Sequence, residues 1–352
     1  MSAMTLTSDP KLLEYYRTNY SLNCEKNQSY FNSNEFFQRY TYIVSPFSII
    51  LGTYGILVVL VATPKHMESV KWFLMHYHLV TFFIELTLNN LIAPLIFLPS
   101  SAIFCNGFLL DLGVPFKVVM YISEISFLEL SISMLMIFEN RHSQILTIPF
   151  RMTRTLTKSI FYSCHYIFFP SLLLLVYLQN VDQPAAKSEI LQIIPCPERH
   201  FFDVRTQVVT TNMEFYAGIS GISVIYFTVI IQFYALQSGY YLLKRPEAYL
   251  SDVMKKMQRK FFFILVIQIA IPVLFMLIPN VIYYSVDVVD QFVSTLTVIF
   301  VSLHGIASSL ALILLHKPYR DFTWDQTLGR VFKNPGKKSS SHSVRPNTVT
   351  VF

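Results

Sequence analysis

Glu85, Glu124, Glu129 and His304 each interrupt a long apolar run. A bare carboxylate in hydrocarbon costs several kcal/mol, so groups of this kind face a protein partner or a water-filled cavity, not lipid. Two kinds of chemistry suit them. Glu85, Glu129 and His304 can form one internal polar network that holds water or a cation, and Glu124 can balance an amine or act as a hydrogen-bonded neutral acid. A third constellation, Phe138-Glu139-Asn140-Arg141, closes the run that contains Glu124 and Glu129. A charge pair where lipid gives way to water can bond to itself or to something docking there. Catalysis finds no support: the chain has no HExxH, GxSxG, Walker loop or dinucleotide fingerprint. Its four cysteines lack ligand spacing for zinc, and the rings of His76 and His78 point to different faces of a helix. The expectation is therefore no enzyme, no cofactor and no metal.

The elements that carry these groups are apolar runs of membrane-spanning length. Of the 352 residues 53% are hydrophobic and only 14% charged, with 10 glycines and 31 phenylalanines. That composition fits a helical bundle in lipid better than a soluble domain or an outer-membrane barrel. Seven runs, each near the ~20 residues a span needs, cover 42–63, 73–98, 116–138, 160–179, 215–236, 261–285 and 291–316. The third, at about 1.5 Å per residue, is long enough to cross a ~30 Å hydrocarbon layer. About 19 of the 27 Lys and Arg fall in the alternate segments 64–72, 139–159, 237–260 and the tail after Lys317. By the excess of basic residues on the cytoplasmic side, the N-terminus lies outside and the C-terminus inside.

The predicted organisation is an all-α seven-span bundle at 42–316, preceded by a polar extracellular arm at 1–41. The arm opens with no removable signal, so the first span serves as the insertion signal. An amphipathic helix over 317–335, with Trp324, Leu328, Val331 and Phe332 on one face, lies on the inner membrane surface. A disordered cytoplasmic tail follows at 336–352. Asn19 and Asn27 head the only N-x-S acceptor patterns, both in the arm. Cys24, Cys105 and Cys196 lie on the oxidising side; Cys24 with Cys196 is the preferred bridge and Cys105 with Cys196 the alternative. Pro94, Pro170 and Pro272 are expected to kink their spans. Pro272, four residues after Gln268, is the expected hinge, above the basic base Lys255, Lys256, Arg259 and Lys260.

A buried polar middle, an outer pocket and a basic inner face describe a receptor better than a carrier, whose two halves should match. A ligand-gated channel or carrier with the same span count is the alternative. The pocket expected among the outer halves of spans three, five, six and seven is lined by Met120, Tyr121, Glu124, Tyr216, Phe275, Tyr283 and Phe292, which suits small, mostly apolar molecules.

Several blocks carry a resemblance: Gly52-Thr53-Tyr54-Gly55-Ile56-Leu57, Thr63-Pro64-Lys65-His66-Met67-Glu68, Phe138-Glu139-Asn140-Arg141, Pro195-Cys196-Pro197, Gln258-Arg259-Lys260-Phe261 with Gln268 and Pro272, His304-Gly305, and His316-Lys317-Pro318-Tyr319-Arg320. With these the chain resembles, over nearly its whole length, the nematode seven-transmembrane chemoreceptors called serpentine receptors of class H. The sibling class I shares much of the pattern. The resemblance implies a G-protein-coupled receptor for environmental chemicals in the plasma membrane, on the cilia of sensory neurons. Glu139-Asn140-Arg141 looks like the Asp/Glu-Arg-Tyr element of rhodopsin-like receptors, which makes Glu139 and Arg141 candidates for G-protein coupling, together with Lys255, Lys256 and Arg259. His142 replaces the Tyr of that element, and the Asn-Pro-x-x-Tyr element of the seventh helix is missing. The activation switch therefore does not transfer residue by residue.

Overall fold

The computed structural model describes residues 4–24, 29–244, 251–285 and 291–326. Seven long helices form the body. Six are long and apolar enough to cross a membrane: Asn34–Ala62, Phe116–Gln144, Thr155–Tyr177, Met213–Lys244, Asp252–Ile282 and Gln291–Leu315. The remaining one, second in order, runs over Glu68–Leu86 and continues as a π-helical turn, Thr87–Leu91. It is more polar, carrying Glu68, Lys71 and Glu85, yet its unbroken length of roughly 36 Å at 1.5 Å per residue is enough to span. In chain order these are spans one to seven.

Local chemistry sets several boundaries. Ser33 precedes the first span, and its hydroxyl accepts the backbone N–H of Phe36 at 3.3 Å; Ser251 does the same for Met254 at the start of the sixth. Both satisfy a donor that a helix start leaves orphaned. Pro272 closes the α-helical part of the sixth span, and the π-helical turn Val273–Leu277 follows before Ile278–Ser285. A wide turn beside a proline absorbs the mismatch of a missing donor. Pro170 is accommodated inside the fourth span. Pro94 is not in a span at all. The second helix ends at Leu91, and Pro94 opens a strand, so the expected kink is replaced by a chain reversal.

Close packing uses small residues. Gly52, Gly55 and Ser48 line the buried face of the first span, with Gly55 against Leu312 and Ser309 of the seventh. Such residues let helix backbones approach where no hydrophobic force separates protein from lipid. The third span is the hub. It packs on the second, fourth and fifth, and its buried residues include Ser123, Ser126, Leu130, Ser133 and Phe138.

One end of the bundle bears a cap that composition did not announce. Strands β1 (Pro94–Phe97), β2 (Ala102–Cys105) and β3 (Thr206–Val208) form an antiparallel sheet in that order, with Pro94 opposite Cys105 and Ala102 opposite Val208. The helix Gln183–Ile193 and the arm helix Pro10–Tyr15 cover it, around a core of Leu12, Tyr20, Phe97, Phe104, Ile190, Phe201 and Phe202. The arm is thus folded into the cap: Thr7 N–H donates to the Phe202 carbonyl (2.8 Å) and Val204 N–H to that of Thr5 (2.9 Å). Cys24 and Cys196 are joined by a disulfide, while Cys105 is free and buried. At the other end the chain turns into the helix Lys317–Gln326, whose Tyr319 is buried against Thr63 (hydroxyls 2.9 Å apart). Leu328, Val331 and Phe332, and the tail at 336–352, lie outside the described residues.

The contact between Gly305 and Glu85 tests the packing. A Cβ added at Gly305 would fall 2.2 Å from the Glu85 carboxyl carbon. Gly305→Ala is expected to destabilise the protein by ~1–3 kcal/mol through overpacking. Adding Glu85→Ala should recover most of that loss in thermal unfolding of the purified protein; additive losses would contradict the packing account.

Candidate functional site

The expected functional residues separate into three levels along the third span. Toward the cap, the Tyr216 hydroxyl donates to Glu124 Oε1 at 2.8 Å. The rings of Tyr121 and Tyr177 lie 5.5 Å apart, and the Tyr121 hydroxyl donates to the Pro170 carbonyl (3.0 Å). Met120 is buried, its sulfur 4.0 Å from that of Cys105. Lys117 Nζ donates to the Gln179 carbonyl at the top of the fourth span. Met120, Tyr121, Glu124 and Tyr216 therefore share one cluster at the junction of spans three, four and five. Phe275 and Phe292 do not join it: Phe275 packs on Phe300 (6.3 Å between centroids) and Phe292 on Phe31 (6.1 Å). The side chain of Tyr283 lies outside the described residues. Chemically the cluster offers one carboxylate ringed by phenols, a setting that receives a hydrogen-bond donor or a cation on an aromatic body.

At mid-height no hydrogen bond or ion pair among the described residues joins the three expected network members. Glu85 is fully buried between the first and seventh spans, against Gly305. His304 is also fully buried and turns its Nδ1 to its own helix, to the Val301 carbonyl at 2.7 Å. Glu129 instead meets His76 of the second span, Oε1 to Nε2 at 3.0 Å. Rotation of each helix about its axis, which residue spacing does not reveal, decides these partners.

At the end opposite the cap, Glu139 and Arg141 are close in sequence and reach different helices. Glu139 is wholly buried and takes Lys158 Nζ at 3.2 Å, with hydroxyl donors from Ser143 and Tyr162. Arg141 is also buried. Its guanidinium donates to the Gln258 carbonyl of the sixth span and to Gln144 Oε1, both at 3.4 Å, and lies 5.7 Å from the centre of the Phe261 ring. The Arg259 guanidinium donates to the Leu242 carbonyl of the fifth span at 2.9 Å, and Lys255 pairs with Asp252 (3.4 Å), whereas Lys256 is exposed. The inner end of the sixth span is thereby tied to the third by Arg141 and to the fifth by Arg259. The side chain of Gln268 is buried in the same span, one turn before Pro272.

The cap adds groups that the sequence pattern does not single out. His200 Nδ1 and Glu198 Oε1 are 2.8 Å apart, and Glu198 also accepts the backbone N–H of Asn34 (3.3 Å), which seats the first span against the cap. A cavity of about 130 Å³ opens beside Ala186, Glu189, Ile190, Val208 and Met213. Lys187 is buried over the Phe201 ring, Nζ 3.3 Å from the Asp203 carbonyl. Burial pushes its ammonium down from 10.5 to about 8, against the opposing pull of Asp203.

A bundle of seven crossing helices, with a basic end whose sixth helix is clasped to the third and a capped end holding an aromatic-carboxylate cluster, defines a multi-pass membrane protein of the serpentine receptor type. Residues 32–327 match the family of serpentine type 7TM GPCR chemoreceptors, Srh, and the chain belongs to that family. It is 29% identical over 318 residues to serpentine receptor class H-72 of Caenorhabditis elegans, which covers 90% of this chain and 92% of that protein. The family is one of receptors, not of enzymes.

Lys187 gives the cap a pH signature. Folded, it releases its proton near pH 8, and unfolded near 10.5, so between those values the unfolded state binds more protons and stability rises with pH. In thermal unfolding, wild type is expected to gain about 3 °C relative to Lys187→Met between pH 8 and 10. Parallel curves for the two proteins would contradict the burial account.

Proposed function

We propose that the protein is a chemosensory receptor of the plasma membrane, capped end outside and basic end inside, that binds a small environmental molecule and signals to a heterotrimeric G protein. The orientation rests on the concentration of Lys and Arg at the end opposite the cap. It agrees with the exposure of Asn19, an acceptor for glycosylation, in the cap; Asn27, the second acceptor, lies outside the described residues. The family supports a place on the cilia of sensory neurons and a role in olfaction. The ligand enters the cluster of Met120, Tyr121, Glu124 and Tyr216, its aromatic or aliphatic body against Tyr121 and its donor group on Glu124. Phe275 and Phe292 belong to the same cap-end half and line its approach.

The observation that carries the coupling half of this reading is the Arg141–Gln258 contact. Arg141 holds the inner end of the sixth span against the third, and Pro272 with its π-helical turn offers a hinge above it. Releasing that clasp and the companion Arg259–Leu242 contact lets the inner segment swing at Gln268–Pro272. Arg141, Lys255, Lys256 and Arg259 then face the G protein, with the buried Glu139 holding the foot of the third span to the fourth behind them. A ligand can bias this equilibrium only by binding the released arrangement more tightly than the clasped one.

The test is a ligand screen in cells reporting second messengers, run with Arg141→Ala beside wild type and with epitope tags at both ends. Antibody should reach the N-terminal tag without permeabilisation and the C-terminal tag only after it. Arg141→Ala should reach the surface yet lose at least about tenfold in response, the equivalent of ~1.4 kcal/mol of coupling. Full-strength signalling from Arg141→Ala would refute the coupling role, and Glu124→Gln with an unchanged agonist potency would refute the ligand assignment.

A further inference from the structure

The pair of His76 and Glu129 belongs to neither the cap-end cluster nor the clasp at the basic end. His76 Nε2 stands 3.0 Å from Glu129 Oε1, and the Tyr166 hydroxyl is 3.4 Å from the same nitrogen. Spans two, three and four each contribute one residue. The depth follows from a neighbouring contact: Asn140 Nδ2 donates to the Ser69 carbonyl (3.4 Å), which sets those residues level at the basic end. His76 is seven residues from Ser69 and Glu129 eleven from Asn140, or roughly 10 and 16 Å inward along their helices. The triad therefore lies in the hydrocarbon layer, near its middle.

It is not sealed there. The side chains of His76 and Glu129 keep 33% and 25% of their accessible surface, whereas that of Glu139 keeps none. What they open onto is set by the rest of the second span. Trp72, Leu79 and Phe83 fall on the same helical face as His76 and are exposed, and an exposed apolar stripe on a span is a lipid-facing stripe. The second and fourth spans both pack on the third, so Glu129 forms the floor of a groove between them, with His76 and Tyr166 on its walls.

The carboxyl on the floor of the groove keeps acceptor capacity on its open side. The carboxyl of Glu129 has acceptor capacity for up to about four hydrogen bonds, of which His76 and Tyr166 fill two. The Tyr166 hydroxyl donates to Glu129 and lies 3.5 Å from the Met136 sulfur. A carboxylate at this depth calls for a donor or a cation. A whole helix is too wide to reach the floor of a gap between two others packed on one hub, whereas a slim chain can.

We propose that this groove is a second binding site, reached sideways from the bilayer, for a long-chain primary amine. The ammonium sits on Glu129 between His76 and Tyr166, and the alkyl chain lies along Leu79 and Phe83. The site is separate from the cluster around Glu124, and neither reading rests on the other.

Trp72 stands one helical turn from His76 and is one of only two tryptophans in the chain, so Trp324→Phe leaves a single reporter beside the groove. Full-length protein with that change, in phosphatidylcholine nanodiscs, is titrated with a long-chain primary amine bearing a nitroxide near its amine end, and with the alcohol of the same chain and label. The amine is expected to quench Trp72 saturably and the alcohol only in proportion to its partitioning. Glu129→Gln should weaken the amine about tenfold, Tyr166→Phe should weaken it by a smaller factor, and Glu124→Gln should leave it unchanged. Tyr166→Phe carries the test if Glu129→Gln does not fold. Quenching by the amine that never saturates, saturation indifferent to both substitutions at the groove, or equal saturation by the alcohol would overturn the proposal. So would a cross-linkable dimer that Glu129→Gln dissolves, which would make a second copy the occupant.

Discussion

A polar group inside hydrocarbon has no water to fall back on, and that single constraint accounts for most of what this chain does with its side chains. Serines and threonines on the spans turn back to their own carbonyls, as Thr53 does to Ile49 and Ser171 to Ile167. The carboxylates of the third span cannot do this, so each recruits a group from another helix. Glu124 takes Tyr216 from the fifth span, Glu129 takes His76 from the second, and Glu139 takes Lys158 and Tyr162 from the fourth. These three acids are on the third span, and Glu85 is on the second. The third span's central place in the bundle is thus an electrostatic requirement as much as a packing one, since a helix with three acids must be surrounded by helices that answer them.

The three levels differ in how completely the acid is answered. Glu139 has several donors and no exposure, which suits a fixed anchor for the fourth span. Glu124 has a phenol and an aromatic surround, a softer arrangement that another donor can join. Glu129 is the least enclosed. The gradient runs from a structural role at the basic end to exchangeable contacts toward the cap and the lipid, as expected of a molecule whose ends perform different tasks.

The seven spans were legible in the sequence because apolar length is a robust signal: in a chain of this composition, a run of about 20 residues with almost no charge is long enough to cross a bilayer and too greasy to sit in water. Their ends were less so. Pro94 sits in the run Leu91-Ile92-Ala93-Pro94-Leu95-Ile96-Phe97-Leu98, where a short strand and a buried helix read alike. The cap was hidden for the same reason, its strands being three or four residues long and contributed by segments a hundred residues apart. Arg141 stood out as a basic residue at the foot of a span, but its partner is the backbone carbonyl of Gln258, which no side-chain pattern can announce. That Glu129 turns to His76 depends on helix rotation, a property of the assembled bundle.

The disulfide between Cys24 and Cys196 has a bearing on biosynthesis. The two cysteines are 172 residues apart and separated by four spans, so they can meet only if the intervening chain crosses the bilayer an even number of times. An omitted or extra crossing strands Cys196 on the wrong side, leaving Cys24 as an unpaired thiol. Closing the cap is therefore a parity check on insertion, written into the chain by two sulfur atoms and completed only when more than half of it has been threaded.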